Sequence, residues 1–322
     1  MRALQLVTVF VAGLIAAAPA FAQTADKFPT KPVRLVVGFS PGSATDFTAR
    51  VFGDKLGALW GQPVVIENRS GAGSTLANAS VAQATPDGHT LLVVSTSFAI
   101  TAVLQGKNLP YDAIRDFRGV SQFGSTTGVL VVPPSLGVKS VKELVALAKE
   151  KRLLFGSAGA GSGLHMSTER FNLIVGIKGT HVGFKGQPEM NVEIVTGRVH
   201  YGFPSLGTSM MFLKDGRLLP LAVNTPKRSP HIPDVPSMFE IVPNFERDGA
   251  HALMAPAKTP TPIVQKISKD IARVAEMPDV KERMHAISFD LATSTPEEYD
   301  KAVRKQIQVF TEVAKAAGLI AK

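Results

Sequence analysis

Cysteine is absent from this chain of 322 residues. No disulfide can brace the fold and no thiol can carry a lipid, so the core must hold the structure by itself. Long apolar runs are nearly absent too. Leu4 to Ala18 is short for a bilayer span, and no later segment reaches the roughly 18 uninterrupted apolar residues of a transmembrane helix, so no membrane insertion is expected. Nucleotide fingerprints are missing. Gly159-Ala160-Gly161 continues as Ser162-Gly163-Leu164 and loses the last glycine of G-x-G-x-x-G, and no G-x-x-x-x-G-K precedes a Ser or Thr. The H-E-x-x-H of zinc hydrolases and the S-x-x-K set of penicillin-recognising enzymes are absent as well. No catalytic residue, metal or cofactor is therefore expected. Acidic residues are the scarcer charge, 26 against 35 Lys and Arg, for a formal net charge of +9. The basic residues are scattered and often sit beside acids, as in Lys149-Glu150-Lys151-Arg152, which excludes a nucleic-acid footprint and leaves a general field that draws small anions.

What is present begins with an export signal. Arg2 supplies a positive start, Leu4 to Ala18 an apolar centre and Ala20-Phe21-Ala22 a small-x-small cleavage site, so residues 1–22 read as a signal peptide and the mature protein as periplasmic. The remaining residues, with 28 Gly and 22 Pro in the whole chain, suit two globular domains. Short apolar β-runs alternate with helical patterns, the signature of α/β units. The expected strands are Val33 to Phe39, Val64 to Asn68, Thr90 to Ser95, Phe117 to Phe123, Val129 to Val132, Leu153 to Phe155, His200 to Phe203, Leu218 to Val223 and Ala252 to Met254. Ser140 with Glu143 and Thr295 with Glu298 fit capping boxes, Pro262 and Pro296 suit first helical turns, and the last helix is expected to end at Gly318.

Two strand-to-helix junctions stand out. In the first, Val33 to Phe39 empties into Ser40-Pro41-Gly42-Ser43-Ala44-Thr45-Asp46 and a helix with Phe47, Val51, Phe52, Leu56 and Leu59 on one face. In the second, Leu153-Leu154-Phe155 leads into Gly156-Ser157-Ala158-Gly159-Ala160-Gly161-Ser162-Gly163 and a helix opening at Leu164-His165. Small side chains let a ligand approach the backbone, and a helix N-terminus offers free N–H groups and a positive dipole end to an anion. Two such loops facing each other can hold both ends of one acid. Taken singly, each is also what an ordinary βα turn looks like.

Further along, Gly61-Gln62-Pro63-Val64-Val65-Ile66-Glu67-Asn68-Arg69-Ser70-Gly71-Ala72-Gly73, Ala84-Thr85-Pro86-Asp87-Gly88, His181-Val182-Gly183-Phe184-Lys185-Gly186 and Pro233-Asp234-Val235-Pro236-Ser237 join the two junctions in one order. Together they resemble the Bug family, the substrate-binding proteins of tripartite tricarboxylate transporters, over essentially the whole mature chain. The resemblance implies an α/β fold of two lobes, each a mostly parallel sheet flanked by helices, closing on a small carboxylate. Lobe one is expected at 23–122 plus 245–322 and lobe two at 123–244. The expected partners are that ligand and membrane transporter subunits, the protein itself being a monomer. Carried over residue by residue, the expected ligand-binding set is Phe39, Ser40, Gly42, Ser43, Ala44, Thr45, Asp46, Ser95, Ser97, Ser157, Ala158, Gly159, Ser162, His165, Phe184, Phe203 and Ser205.

Departures from the family pattern bear on the ligand. Phe184 stands where a Tyr is frequent, Pro204 and Ser205 where an Asp is frequent, and His251 where a Trp is frequent. Without that Asp an amino group on the ligand is disfavoured, and Phe39, Phe98, Phe184 and Phe203 near strand ends favour a dicarboxylate with an apolar, even aromatic, middle. Each of these Phe residues equally suits a core position. A hydrolase using Ser157 or Ser162 with His165, a carboxylate sensor, and a scaffold with a vestigial cleft are the alternatives.

Overall fold

The computed structural model describes residues 27–242, 245 and 249–321. The signal-peptide segment lies outside the described residues. The elements run β1 (Val33–Val37), α1 (Ala44–Trp60), β2 (Val64–Asn68), α2 (Thr75–Ala82), β3 (Thr90–Val94), α3 (Ser97–Gln105), β4 (Phe117–Thr126), β5 (Val129–Val132), α4 (Val141–Glu150), β6 (Leu154–Ser157), α5 (Gly163–Val175) and β7 (Thr180–Gly183). They continue with α6 (Gln187–Val195), β8 (Tyr201–Gly202), α7 (Leu206–Lys214), β9 (Leu219–Val223), α8 (Met238–Ile241), β10 (Ala250–Pro256), α9 (Thr261–Ala275), α10 (Pro278–Ala286), β11 (Phe289–Leu291) and α11 (Pro296–Ala316).

These strands form two sheets, one in the order β11-β4-β10-β3-β1-β2 and one in the order β7-β6-β8-β5-β9. The expected parallel pairing is found in β2-β1-β3 and in β7-β6-β8. Antiparallel pairing enters where the chain changes lobe. β10 runs against both β3 and β4, and β5 against both β8 and β9. β4 stays in the first sheet through Thr126, so Phe123, expected to open lobe two, instead packs on Phe52 at 4.4 Å in the first core. Two register shifts along β10 let β4 run this far. Sequence reasoning omitted β7 and β11, both too short to show a period.

Burial explains the layers. One face of the first sheet carries Leu35, Val37, Leu91 and Val93 against α1 and α9, and the other carries Val36, Leu92 and Val94 against α2, α3 and α11. That alternation is the two-residue period of a strand covered on both faces. The second sheet does the same with Leu130 and Val132 on one side and Val129 and Val131 on the other. Helix ends follow the sequence: Thr295 and Glu298 form the full capping box, whereas Ser140 accepts the Glu143 N–H while the Glu143 carboxylate turns to Lys139. A fifth cluster, Ala99, Ile100, Met166, Phe310, Val313 and Ala314, ties α5 of the second sheet to α3 and α11 of the first.

Candidate functional site

In an open α/β sheet the crevice forms where successive strands leave to opposite sides. The first sheet switches between β1 and β3, the second between β6 and β8. The loops beyond the C-terminal ends of these strands are residues 38–43, 95–96, 158–162 and 203–205. Most of the expected ligand-binding residues fall on them. Gly38 makes the first loop compact, because a Cβ there would stand 2.5 Å from the Ser74 Cβ. Gly161 does the same for the third at the seam between sheets, with positive φ and a Cβ site 2.7 Å from Leu104 of α3.

Asp46 braces the first loop rather than facing a ligand. It is 2% exposed and its carboxylate accepts from the Gly42 N–H at 2.9 Å, from Arg50 at 2.9 and 3.0 Å and from Asn68 Nδ2 at 2.8 Å. Burial pushes the carboxyl up, but the hydrogen bonds from Arg50, Gly42 and Asn68 outweigh it and hold the group below its ordinary value. Ser43 caps α1 by accepting the Asp46 N–H at 3.2 Å. Ser40, Gly42 and Ala44 remain exposed.

Thr45 is also turned inward. It is 4% exposed and its hydroxyl lies 3.4 Å from His251 Nε2, while Thr48 Oγ1 lies 3.0 Å from Nδ1 of the same ring. His251 is thus a buried strut under the first loop. Burial lowers its pKa to about 4, and burial together with the neighbouring His165 lowers that of His181 to about 4 as well. Both rings are neutral in the folded protein but protonate near pH 6.5 once unfolded. The unfolded state therefore takes up more protons between pH 6.5 and 4, and stability falls as pH drops through that window. The expected result is a melting temperature that declines from pH 7 to 4.5, with a shallower decline in His251→Gln. Parallel curves for variant and wild type would show that His251 does not titrate this way.

Ser95 and Ser97 are half-buried with hydroxyls 3.0 Å apart, at the start of α3. In the second lobe Ser157 is fully buried: its hydroxyl meets His181 Nε2 at 2.6 Å and donates to the Gly159 carbonyl at 3.0 Å. His165 is 2% exposed and accepts the Gly161 N–H on Nδ1 at 3.0 Å. Both side chains, expected at the ligand, instead shape the loop from beneath. Ser162 caps α5 through the His165 N–H. The hydrolase pairing with the His165 ring is therefore not formed. The expectation that no G-x-S-x-G elbow is present needs correcting, because Gly38-Phe39-Ser40-Pro41-Gly42 matches that spacing. Among the described residues, however, no histidine ring is hydrogen-bonded to Ser40; His251, below the same loop, binds Thr45 and Thr48.

Two of the expected aromatics are core. Phe203 is 3% exposed and meets Phe171 edge-on at 5.7 Å, and Phe98 is 2% exposed among Tyr111 and Phe117. Phe98 follows the apolar side of α3 inward, and Phe203 turns into the core one residue past β8. Phe39 and Phe184 are partly buried, and the Phe184 ring lies 3.5 Å from where a Gly156 Cβ would stand. Ser205 opens α7, its hydroxyl 2.9 Å from Gln187 Nε2 and 3.1 Å from Thr208 Oγ1. Gln187, Thr208, Asn68, Arg50 and His181 were all missed by sequence reasoning; Asn68 and His181 carried a signal, standing in the family-like segments Gly61 to Gly73 and His181 to Gly186. Two surface cavities of about 620 and 650 Å³, one beside Val141 and Ile241 and one beside Lys107 and Tyr111, lie away from these loops.

The exposed polar groups left on the four loops are serine hydroxyls and backbone N–H groups at the starts of α1, α3, α5 and α7, donors suited to an anion. Two helix-covered sheets of mixed pairing, with a switch-point crevice in each, define a periplasmic-binding-protein fold. The chain belongs to the tripartite tricarboxylate transporter receptor family, whose sequence pattern matches residues 48–319. It is 31% identical to protein BugT of Bordetella pertussis over 321 residues, 98% of each chain. The structure of Rpa4515 from R. palustris with adipate is 33% identical with a TM-score of 0.75, covering 90% of this chain and 98% of that one. MatC of Rhodopseudomonas palustris with bound malate is 29% identical with a TM-score of 0.71, covering 89% and 99%. Receptors of this family are periplasmic solute-binding proteins.

Proposed function

We propose that this chain captures a small dicarboxylate with an apolar, aliphatic or aromatic middle and delivers it to a tripartite tricarboxylate-type transporter, after loss of a signal peptide near Ala22. The observation that carries this reading is the pair of switch-point loops whose open donors are neutral. Ser40, Gly42, Ser43 and Ala44 would grip one carboxylate from lobe one, with Ser95 and Ser97 beside them. Ala158, Gly159, Ser162 and Ser205 would grip the other from lobe two, while Phe39 and Phe184 would flank the middle. The lobes would divide at the crossings near residues 127 and 249, and the protein would act as a monomer. Relatives with adipate and malate support the ligand class.

Magnitudes favour two grips over one. Micromolar affinity needs about 8 kcal/mol. A charge-assisted hydrogen bond contributes about 1.5 to 3 kcal/mol and a helix dipole about 0.3 to 1 kcal/mol, before association entropy is subtracted. The test is a thermal-shift panel of adipate, malate, succinate and the phthalate isomers. A true ligand at about 100 times its dissociation constant adds about 2.7 kcal/mol of stability, a shift of several degrees. A panel in which no carboxylate moves the midpoint would overturn the proposal.

A further inference from the structure

We propose that His165 and His181 are positioning residues of the lobe-two loop, setting the backbone arrangement that receives a carboxylate; this rests on the function proposed above. The two rings stack at 3.7 Å between centroids and 23° between planes, with Phe155 packed against both. Each ring fixes a different glycine. His165 Nδ1 accepts the Gly161 N–H directly at 3.0 Å, so that nitrogen carries no proton. His181 Nε2 holds Ser157 Oγ at 2.6 Å, and the same hydroxyl accepts the Gly159 N–H at 3.2 Å. Gly159 and Gly161 are thus pinned from beneath, one through each histidine. The His165 N–H is taken by Ser162, which leaves the N–H groups of Gly163 and Leu164 in the first turn of α5 without intrahelical partners. A loop pinned at two alternate residues presents those donors in one geometry, and a binding site gains affinity when its donors are already ordered. The outer edge of His165, at Nε2, lies 3.6 Å from the Glu169 carboxylate.

The two histidines use different nitrogens, and this gives the test its specificity. An asparagine side chain can place an acceptor where Nδ1 stands, and a glutamine can place a polar atom where Nε2 stands. In His165→Asn and His181→Gln the dissociation constants for adipate and malate should stay within about three-fold of wild type by calorimetry. The crossed variants His165→Gln and His181→Asn, and both leucine variants, should lose about ten-fold or more. Amide hydrogen exchange on the ligand-free protein reads the same claim without any ligand. Gly161 should exchange about ten-fold faster in His165→Leu or His165→Gln, and Gly159 in His181→Leu or His181→Asn, with the isosteric variants unchanged. Crossed and isosteric variants that behave alike in exchange would overturn the positioning role. If the wild type binds no carboxylate while the exchange pattern holds, the functional reading fails and the pinning stands.

Discussion

Replacing Asp46 with alanine is expected to lower the melting temperature by several degrees and to weaken carboxylate binding at least ten-fold. Asp46 does not touch the ligand in the proposed site. It is the common acceptor for Gly42 of the loop, Arg50 one turn along α1 and Asn68 at the end of β2. Removing it forfeits the hydrogen bonds from the Gly42 N–H and the Asn68 amide, about 0.5 to 1.5 kcal/mol each, because Gly42 is exposed and Asn68 only partly buried. Arg50, half exposed, recovers water and offsets part of that. The loop bearing Ser40, Gly42 and Ser43 then loses its fixed path. Asn68 Nδ2 also donates to the Phe39 carbonyl at 3.0 Å, so the disturbance reaches both sides of the loop. Because the carboxyl is held below its ordinary value, its contribution is present at neutral pH and is lost only on acidification through and below the usual carboxylate range. Calorimetric titration with adipate and a melting curve check both halves. Unchanged affinity with a lowered midpoint would detach this loop from the site, and no change in either would dismiss the brace.

Strands with clear apolar runs were legible in the sequence. Val64–Asn68 and Val129–Val132 appear at the expected bounds, and the two Gly/Ser loops fall at the switch points. Lobe membership was less legible, because β4 continues past Phe123 only by slipping its register twice against β10, a partner more than a hundred residues away. Side-chain direction near the loops was not legible. Ser157, Thr45 and His165 flank the expected loops, at the end of β6 and in the first turns of α1 and α5, yet each turns its polar atoms inward to a partner distant in sequence or to the loop's own backbone. Spacing along a chain cannot say which way a short polar side chain points. Phe203 shows the same limit for an aromatic: it stands on the loop and is claimed by Phe171.

Aspartate and glutamate should bind at least ten-fold more weakly than a plain dicarboxylate of similar length. The expectation first rests on Pro204 and Ser205, uncharged residues at a position where the family resemblance implies an Asp, and the structure gives it a second basis. Ser205 is engaged with Gln187 and Thr208, all uncharged, and Asp46, the one acid in the first junction, has its carboxylate occupied by Arg50, Asn68 and Gly42. Glu169, behind the second loop, faces the ring of buried His165. An ammonium group entering between the loops would therefore meet N–H donors and hydroxyls arranged for anions. A buried charge without a partner costs several kcal/mol, and even about 1.4 kcal/mol of that is ten-fold in affinity. The decisive measurement is competition of aspartate and glutamate against succinate and glutarate for the protein at neutral pH. Installing the acid by Ser205→Asp should narrow the gap, by drawing the ammonium group and repelling the second carboxylate of the plain diacids. Aspartate outcompeting succinate on the unaltered protein would overturn this account of selectivity.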